Sequence, residues 1–311
     1  MMSIKLKTNF LNTYKINQEE TMMTQNVLAP SGSPQLIRWT KRTVLWLFLI
    51  AIALLSLFPI ILVLLGSFKT NQELTGGATI WPKIWQFSNY AQAWKSANFS
   101  GFTMNSVFVS ISTTVGTLLV ASMSAYAVDR VNFKGKKGYT LLMASTLFIS
   151  IGAVVLRPQF DLMVKLGLNT TLWGVIIILI SAHAATYFIL IGFFKSIPRE
   201  LDEAAMIDGC NFFTTYWRII LPLLRPGLAV AGLGVFQSSW NEYILPFVFT
   251  MSNPDLQTLP VGLANLRYGI GAAAEVQLMM AGACLSILPL LIVYIFANKS
   301  FMQVTLGAVK G

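Results

Sequence analysis

The chain has 311 residues, 55% of them hydrophobic and only 11% charged, against roughly 25% charged in an average soluble domain. Its 22 basic and 12 acidic side chains cannot cover a soluble globule of this size, and the mean hydropathy of +0.65 agrees. A soluble enzyme domain, a disordered chain and a secreted disulfide scaffold are excluded, and two distant cysteines in apolar surroundings, Cys210 and Cys284, offer no metal framework. The composition is that of an all-α, polytopic membrane protein.

Residues 1–37 are polar and mixed, without the continuous apolar region of a signal peptide. With the residues up to 43 they read as a mobile cytoplasmic tail, and Met22 and Met23 stand as alternative starts. A span needs about 20 mostly apolar residues at ~1.5 Å rise each to cross a ~30 Å hydrocarbon core. The apolar runs exceed the ~10-residue alternating strands of a barrel, so helices are expected. Six spans are predicted, over residues 44–65, 106–128, 139–156, 172–194, 227–249 and 276–297, within a membrane domain covering 44–298; residues 299–311 form a second tail. The third run is short and the fifth is interrupted by polar residues.

The net charge of +10 alternates from loop to loop. Lys5, Lys7, Lys15, Arg38, Lys41 and Arg42 precede the first span; Arg130, Lys134, Lys136 and Lys137 follow the second; Lys195, Arg199, Arg218 and Arg225 follow the fourth; Lys299 and Lys310 follow the last. The opposite loops hold only Lys69, Lys83, Lys95, Arg157, Lys165 and Arg267. By the positive-inside rule both termini are cytoplasmic. The charge therefore marks topology and anionic lipid, not nucleic acid.

Two outer connections are long. Residues 66–105 carry Trp81, Trp85, Tyr90 and Trp94, an interfacial composition. Residues 250–275 begin with the turn signal Asn253-Pro254-Asp255 and continue through a stretch containing Pro260 and Gly262.

The cytoplasmic stretch 196–222 differs from its surroundings. Ser196 is a candidate N-cap, with Pro198, Glu200, Asp202 and Glu203 suited to a first helical turn. Leu201, Ala204, Ala205 and Asp208 share a helical face, and Gly209 suits a left-handed stop. A second helix is expected from about Asn211 through Phe212, Phe213, Tyr216 and Trp217 to Leu221-Pro222. Composition alone leaves two readings for this hairpin, a docking element or an amphipathic pair resting on headgroups.

Glu203-Ala204-Ala205, three residues, Gly209, nine residues, Ile219, one residue and Leu221-Pro222 resemble the EAA loop of ABC importer permeases. Trp240-Asn241-Glu242-Tyr243, the stretch 258–263 and the ending 306–311 are similar to segments of carbohydrate permeases, the second and shorter subunit of maltose-type importers. That resemblance covers roughly residues 196–311. It implies a coupling helix seated on a separate ATPase dimer, a second permease chain forming a heterodimer, an extracellular solute-binding protein, an oligosaccharide or other sugar as substrate, and a bacterial inner (plasma) membrane location. It assigns ATPase coupling to Glu203, Ala204, Ala205, Gly209, Ile219, Leu221 and Pro222.

No Gly-x-x-x-x-Gly-Lys-[Ser/Thr] occurs; Gly135-Lys136-Lys137-Gly138 lacks the spacing and the terminal hydroxyl. No nucleophile elbow or metal-ligand helix is present, so the chain is not expected to be an enzyme or to hold a cofactor, and ATP and Mg²⁺ would belong to the partner ATPase. Polar groups in a span are costly, which makes Gln237, Trp240, Asn241 and Glu242 candidates for the translocation path; hydrogen bonds to neighbouring helices are the competing reading. Gly227, Gly232 and Gly234 are expected to admit close helix approach. A proton-coupled secondary transporter using Glu242 and His183, and a membrane scaffold, are the alternative functions.

Overall fold

The computed structural model describes residues 34–77, 79–96, 98–148, 152–268 and 275–308, and every longer regular element among them is helical. In chain order the helices are α1 (Pro34–Gly66), α2 (Asn71–Thr75), α3 (Ser88–Ser96), α4 (Phe99–Arg130), α5 (Lys136–Phe148), α6 (Leu156–Lys165), α7 (Leu172–Ser181), α8 (Ala184–Phe194) and α9 (Glu200–Ile207). They continue with α10 (Phe212–Leu223), α11 (Arg225–Trp240), α12 (Ile244–Thr250), α13 (Leu259–Tyr268) and α14 (Val276–Ala308).

The first, second and sixth expected spans are single helices. α1, α4 and α14 are long and apolar enough to cross a membrane. The fourth is broken: α7 and α8 meet at a 49° bend across Ala182 and His183. The fifth is broken where the polar residues Asn241 to Tyr243 separate α11 from α12, and a 79° bend between α10 and α11 precedes it at Leu224. Counting the bent pairs α7/α8 and α10/α11 brings the candidate spans to five among the described residues. The third expected span, 139–156, runs through residues 149–151, which lie outside the described set; α5 ends before them at Phe148. Most of the expected N-terminal tail is also outside it, and the remainder opens α1; the ending 306–311 is described only as far as Ala308.

The chain divides into two units, Met1–Ile60 and Ile61–Gly311. In the first, every described side chain from Lys41 onward is exposed. A helix apolar on all sides suits lipid surroundings.

In the second unit α4 is the central helix, with α7, α8, α11 and α13 packed on it. Its buried face is made of small residues at helical spacing: Ser106, Ser110, Thr113, Thr117, Ala121, Ser122 and Ala125. Small side chains let backbones approach closely, the usual basis of packing where lipid removes the hydrophobic drive between helices. The expected close approach holds at Gly227 and Gly232, where an added Cβ would lie 2.6 Å from Phe193 and 3.1 Å from Leu118. It fails at Gly234, which has no such neighbour within 4 Å.

Larger side chains gather in clusters along α4. One contains Tyr126, Tyr187, Phe194, Tyr216 and Ile220; another contains Val109, Met163, Val175, Ile176 and Phe249. The stretch expected as a glycine-dotted loop is instead the start of α13, with Pro260 in its first turn, where its missing N–H has no helical partner to lose. Asn105 Nδ2 donates to Asp255 O and Gln257 O at 2.8 and 2.9 Å, and Leu259 N donates to Ser106 Oγ at 2.8 Å. These bonds fix α13 to the start of α4.

The aromatics of the 66–105 connection divide. Phe68 packs with Trp85, Phe87 and Tyr90 at ring separations of 5.1–5.3 Å, while Trp81 stays exposed.

Candidate coupling hairpin and membrane cavity

The hairpin begins later than expected. α9 starts at Glu200 with Arg199 in the capping position and no side-chain cap; Ser196 Oγ instead donates to Phe193 O at 2.7 Å, closing the turn after α8. At its other end Gly209 sits at φ +80°. Gly209 N donates to Met206 O at 3.0 Å and Cys210 N to Ala205 O at 2.9 Å. This pair of bonds is the Schellman closure of a helix C-terminus, and it needs a left-handed residue at the glycine. Asn211 then opens α10, its side chain accepting from Thr214 N at 2.8 Å. Within α10, residues Tyr216–Ile220 are wound as a π segment.

The face expected to be uniform, Leu201, Ala204, Ala205 and Asp208, divides: Ala205 is buried and the other three are exposed. The buried partner of Ala205 is Asp202, one turn earlier. The Asp202 carboxylate meets Arg130 of α4, Nε to Oδ2 at 2.9 Å, with both side chains only 7% exposed. Tyr126 Oη donates to Asp202 Oδ1 at 2.8 Å.

The same guanidinium donates through Nη1 to Asp129 Oδ2 at 2.9 Å and through Nη2 to Ile197 O at 3.0 Å. Arg199 Nη2 donates to Asp129 O at 2.8 Å. A buried carboxylate is tolerable only when paired and hydrogen-bonded, and this one is both. Tyr126 also packs its ring on Phe194, Phe212 and Tyr216 at 4.6–5.8 Å, and the Ser122 and Tyr216 hydroxyls share a 2.7 Å bond. The hairpin is thus clasped to the Arg130 end of α4. Its outer side leaves Met206, Ile207, Phe213 and Trp217 exposed.

The second feature is a cavity of about 310 Å³, half open, at mid-length on α4. Thr113 and Thr117 of α4, Ala185 and Thr186 of α8, and Gly234, Ser238 and Ser239 of α11 are among its lining residues. Two helix breaks meet there: Ala182 lines it from the α7/α8 break and Glu242 from the α11/α12 break. Non-helical backbone at membrane depth is tolerated where it is buried in protein or lines a cavity, and such breaks mark binding sites in other transporter folds. Glu242 Oε1 accepts from Leu245 N at 3.2 Å. Ser239 Oγ returns its proton to Val235 O at 2.8 Å. Thr113 and Thr117 are each 2% exposed, and their hydroxyls have no hydrogen-bond partner within the described chain. An orphaned buried hydroxyl costs about 1–3 kcal/mol, and a helical threonine ordinarily avoids this by bonding the carbonyl four residues back.

A model of the family described as binding-protein-dependent transport system inner membrane component matches residues 22–301. The chain belongs to that family. It is 35% identical to the arabinooligosaccharides transport system permease protein AraQ of Halalkalibacterium halodurans over 282 residues, covering 88% of this chain and 99% of that one. It is 34% identical to the sulfoquinovosyl glycerol transport system permease protein SmoH of Agrobacterium fabrum, covering 82% and 90%. Among solved structures, it resembles a chain of a bacterial ABC transporter involved in the import of the acidic polysaccharide alginate. That match has a TM-score of 0.72 at 25% identity, covering 87% of this chain and 99% of that one.

In this permease the expected coupling residues fall in different environments. Glu203 and Ala204 are exposed on α9, Ala205 is buried against the hairpin, and Gly209 makes the turn. Ile219 and Leu221 pack on the cluster around Tyr126 and Tyr216, and Pro222 lies half-buried near the end of α10.

Of the four translocation candidates only Glu242 lines the cavity. Gln237 and Asn241 are exposed outside its lining. Trp240 is buried, stacked on Phe236 at 5.8 Å beside Phe99, Phe102 and Leu259. His183 Nδ1 lies 3.2 Å from Ile180 O and is not a lining residue.

Sequence reasoning passed over Asp202, Arg130 and Tyr126, which it treated as dipole acid, topology marker and span residue. Ser238 was visible as a polar residue within the fifth span, but the cavity hydroxyls of Thr113, Thr117 and Thr186 were passed over. A stripe of Ser106, Ser110, Thr113 and Thr117 at spacings of three and four was the available signal.

Proposed function

We propose that this permease is one half of the membrane channel of an ATP-driven importer of oligosaccharides or related sugars. In this reading it pairs with a second permease chain, takes sugar from an extracellular binding protein and docks a cytoplasmic ATPase dimer through the 196–222 hairpin. The sugar assignment is supported by the relatives' named transport systems, which include arabinooligosaccharides, diacetylchitobiose and trehalose. ATP and Mg²⁺ act on the partner ATPase.

The observation that carries the coupling role is the continuity of α4. One end of that single helix holds the hairpin through Arg130 and Tyr126, and its middle lines the cavity through Thr113 and Thr117. From Thr117 to Tyr126 the helix rises roughly 14 Å at ~1.5 Å per residue. Displacing the hairpin therefore displaces the cavity wall, with no loop between them to absorb the motion. The exposed Met206, Ile207 and Phe213 give a cleft on the ATPase something apolar to bury, and Glu203, free on the exposed side of α9, fixes orientation. Shifting a two-state equilibrium from 1:99 to 99:1 takes about 5.5 kcal/mol of differential binding, a load that a frayed hairpin could not transmit.

The test is affinity purification of the tagged chain from its native membrane in mild detergent, followed by ATPase assays with sugars. Recovery of a second multi-span chain and a P-loop ATPase whose hydrolysis rises with sugar and binding protein is expected. A chain that elutes alone and monodisperse would overturn the reading.

A further inference from the structure

We propose that the α4/α8/α11 cavity receives a neutral saccharide and excludes anionic ones. This rests on the importer reading and adds the substrate class. Three observations carry it.

The first is charge. Among the described lining residues Glu242 is the only ionisable group; no lysine, arginine or histidine lines the cavity. A uronate or sulfonate entering it would face a carboxylate across a low-dielectric space with no cation from this chain to offset the repulsion.

The second is hydrogen-bonding capacity. Thr113 and Thr117, one turn apart on the same face of α4, line the cavity and carry buried hydroxyls with no hydrogen-bond partner among the described residues, which a side-chain rotation can turn toward a guest. A hydroxyl both donates and accepts, which matches a sugar hydroxyl whichever way its proton points. Thr186 and Ser238 add two more on α8 and α11.

The third is shape. Ala182, Ala185, Ala231 and Gly234 are too small to fill the space, and Leu179, Ile189 and Val235 give it apolar walls suited to the C–H faces of a sugar ring. The volume of about 310 Å³ lies at the small end of ligand pockets, roughly 300–1,000 Å³, which fits one or two rings. None of the described lining residues is aromatic. The grip is therefore weak, as passage requires: a conducting site must hold its cargo loosely enough to release it.

Gly234 and Ser238 are exposed lining positions, and Gly234 has room for a side chain. They allow a direct test in the assembled importer, with Cys210→Ser and Cys284→Ser removing the native thiols. Gly234→Cys and, independently, Ser238→Cys are labelled by a small thiol reagent during turnover with ATP and binding protein. The probes are maltotriose and arabinotriose as neutral sugars and trigalacturonate as an anionic one.

Labelling should slow at least threefold with a neutral sugar and stay unchanged with trigalacturonate. Adding Thr113→Val or Thr117→Val should raise the half-protecting sugar concentration about three- to tenfold per hydroxyl removed, with recovery of the second permease showing that the variant complex still assembles.

Protection by trigalacturonate would overturn the exclusion of anions. Protection by no probe would overturn occupancy by sugar. Thiols closed to the reagent in every state, or loss of the second permease in the valine variants, would assign the cavity to the interface between permease chains instead. Failure of any ATPase to accompany the wild-type chain would sink the importer reading itself, a result separable from all of these.

Discussion

Two stretches of α4 carry polar side chains into buried surroundings and treat them oppositely. Around residues 126–130 the polar atoms are clasped: Arg130 meets Asp202, Asp129 and Ile197, and Tyr126 donates to Asp202. At Thr113 and Thr117, which line a half-open cavity, the buried hydroxyls have no hydrogen-bond partner among the described residues. The difference separates a place where force is handed on from a place where something passes. Buried polar groups that hold elements together should be fully paired, and a site for a transient guest must leave its groups open.

The largest expected effect breaks the clasp. Asp202→Leu leaves Arg130 buried with Asp129 as its remaining counter-charge, an expected loss of up to about 3–5 kcal/mol, the cost of breaking a buried pair. Hydrogen exchange should show α9 opening while α4 stays protected, and sugar-stimulated ATP hydrolysis should fall with it. Adding Arg130→Met should restore part of the protection, because the Arg130–Asp202 pair is then wholly replaced by apolar groups, which is often neutral, and only the less buried Asp129 loses a partner. A double variant as poorly protected as Asp202→Leu alone would show that the pair is not what seats the hairpin.

Tyr126→Phe comes next. It removes one bond to the same carboxylate and spares the charge pair, an expected loss of about 1.5–3 kcal/mol. Hydrogen exchange in α9 should report it at intermediate strength. Gly209→Val forces a β-branched residue into φ +80°, with a loss of about 1–2 kcal/mol, and should lower transport and coupled ATP hydrolysis while leaving the amount of assembled complex little changed.

The cavity should answer with the opposite sign. Thr113→Val and Thr117→Val each remove an unpaired hydroxyl, so thermal stability of the detergent-solubilised complex should be unchanged or higher by up to about 1–3 kcal/mol. A clear loss would mean that these hydroxyls are paired in the assembled protein.

The smallest structural effect is at Glu203, exposed on α9. Glu203→Gln should alter stability by less than about 0.5 kcal/mol yet reduce ATPase coupling. Equal loss of coupling in Glu200→Gln would remove any special role for Glu203.

Much of the chain was legible from residue order. Continuous apolar runs gave α1, α4 and the apolar part of α14, because a long helix in lipid satisfies its own backbone bonds and needs no distant partner to be recognised. The hairpin turn was legible at Gly209, where a left-handed residue after a small helix favours glycine. The hairpin's start was not. Ser196 had the chemistry of a cap, but the turn closing α8 took its hydroxyl and the helix began at Glu200.

The choice among Glu200, Asp202 and Glu203 was equally hidden. A helix dipole favours all three alike; only the arrival of Arg130 and Tyr126 from more than 70 residues earlier buries one and leaves two in the open. Glu242, singled out because a carboxylate in a span stands out, lines the cavity. Trp240 packs with Phe236 and Leu259, a placement that residue order leaves open because an aromatic has the same local signature whether it faces a cavity or fills a core. The sequence by itself determined that the chain lives in a membrane, where most of its spans run and where the hairpin turns, because hydrophobic length and backbone chirality act over a few residues. Tertiary structure alone decided which acid is clasped and where the cavity opens, because both depend on helices distant in sequence meeting at one point: α4 with α9 for the clasp, and the breaks at 182–183 and 241–243 for the cavity.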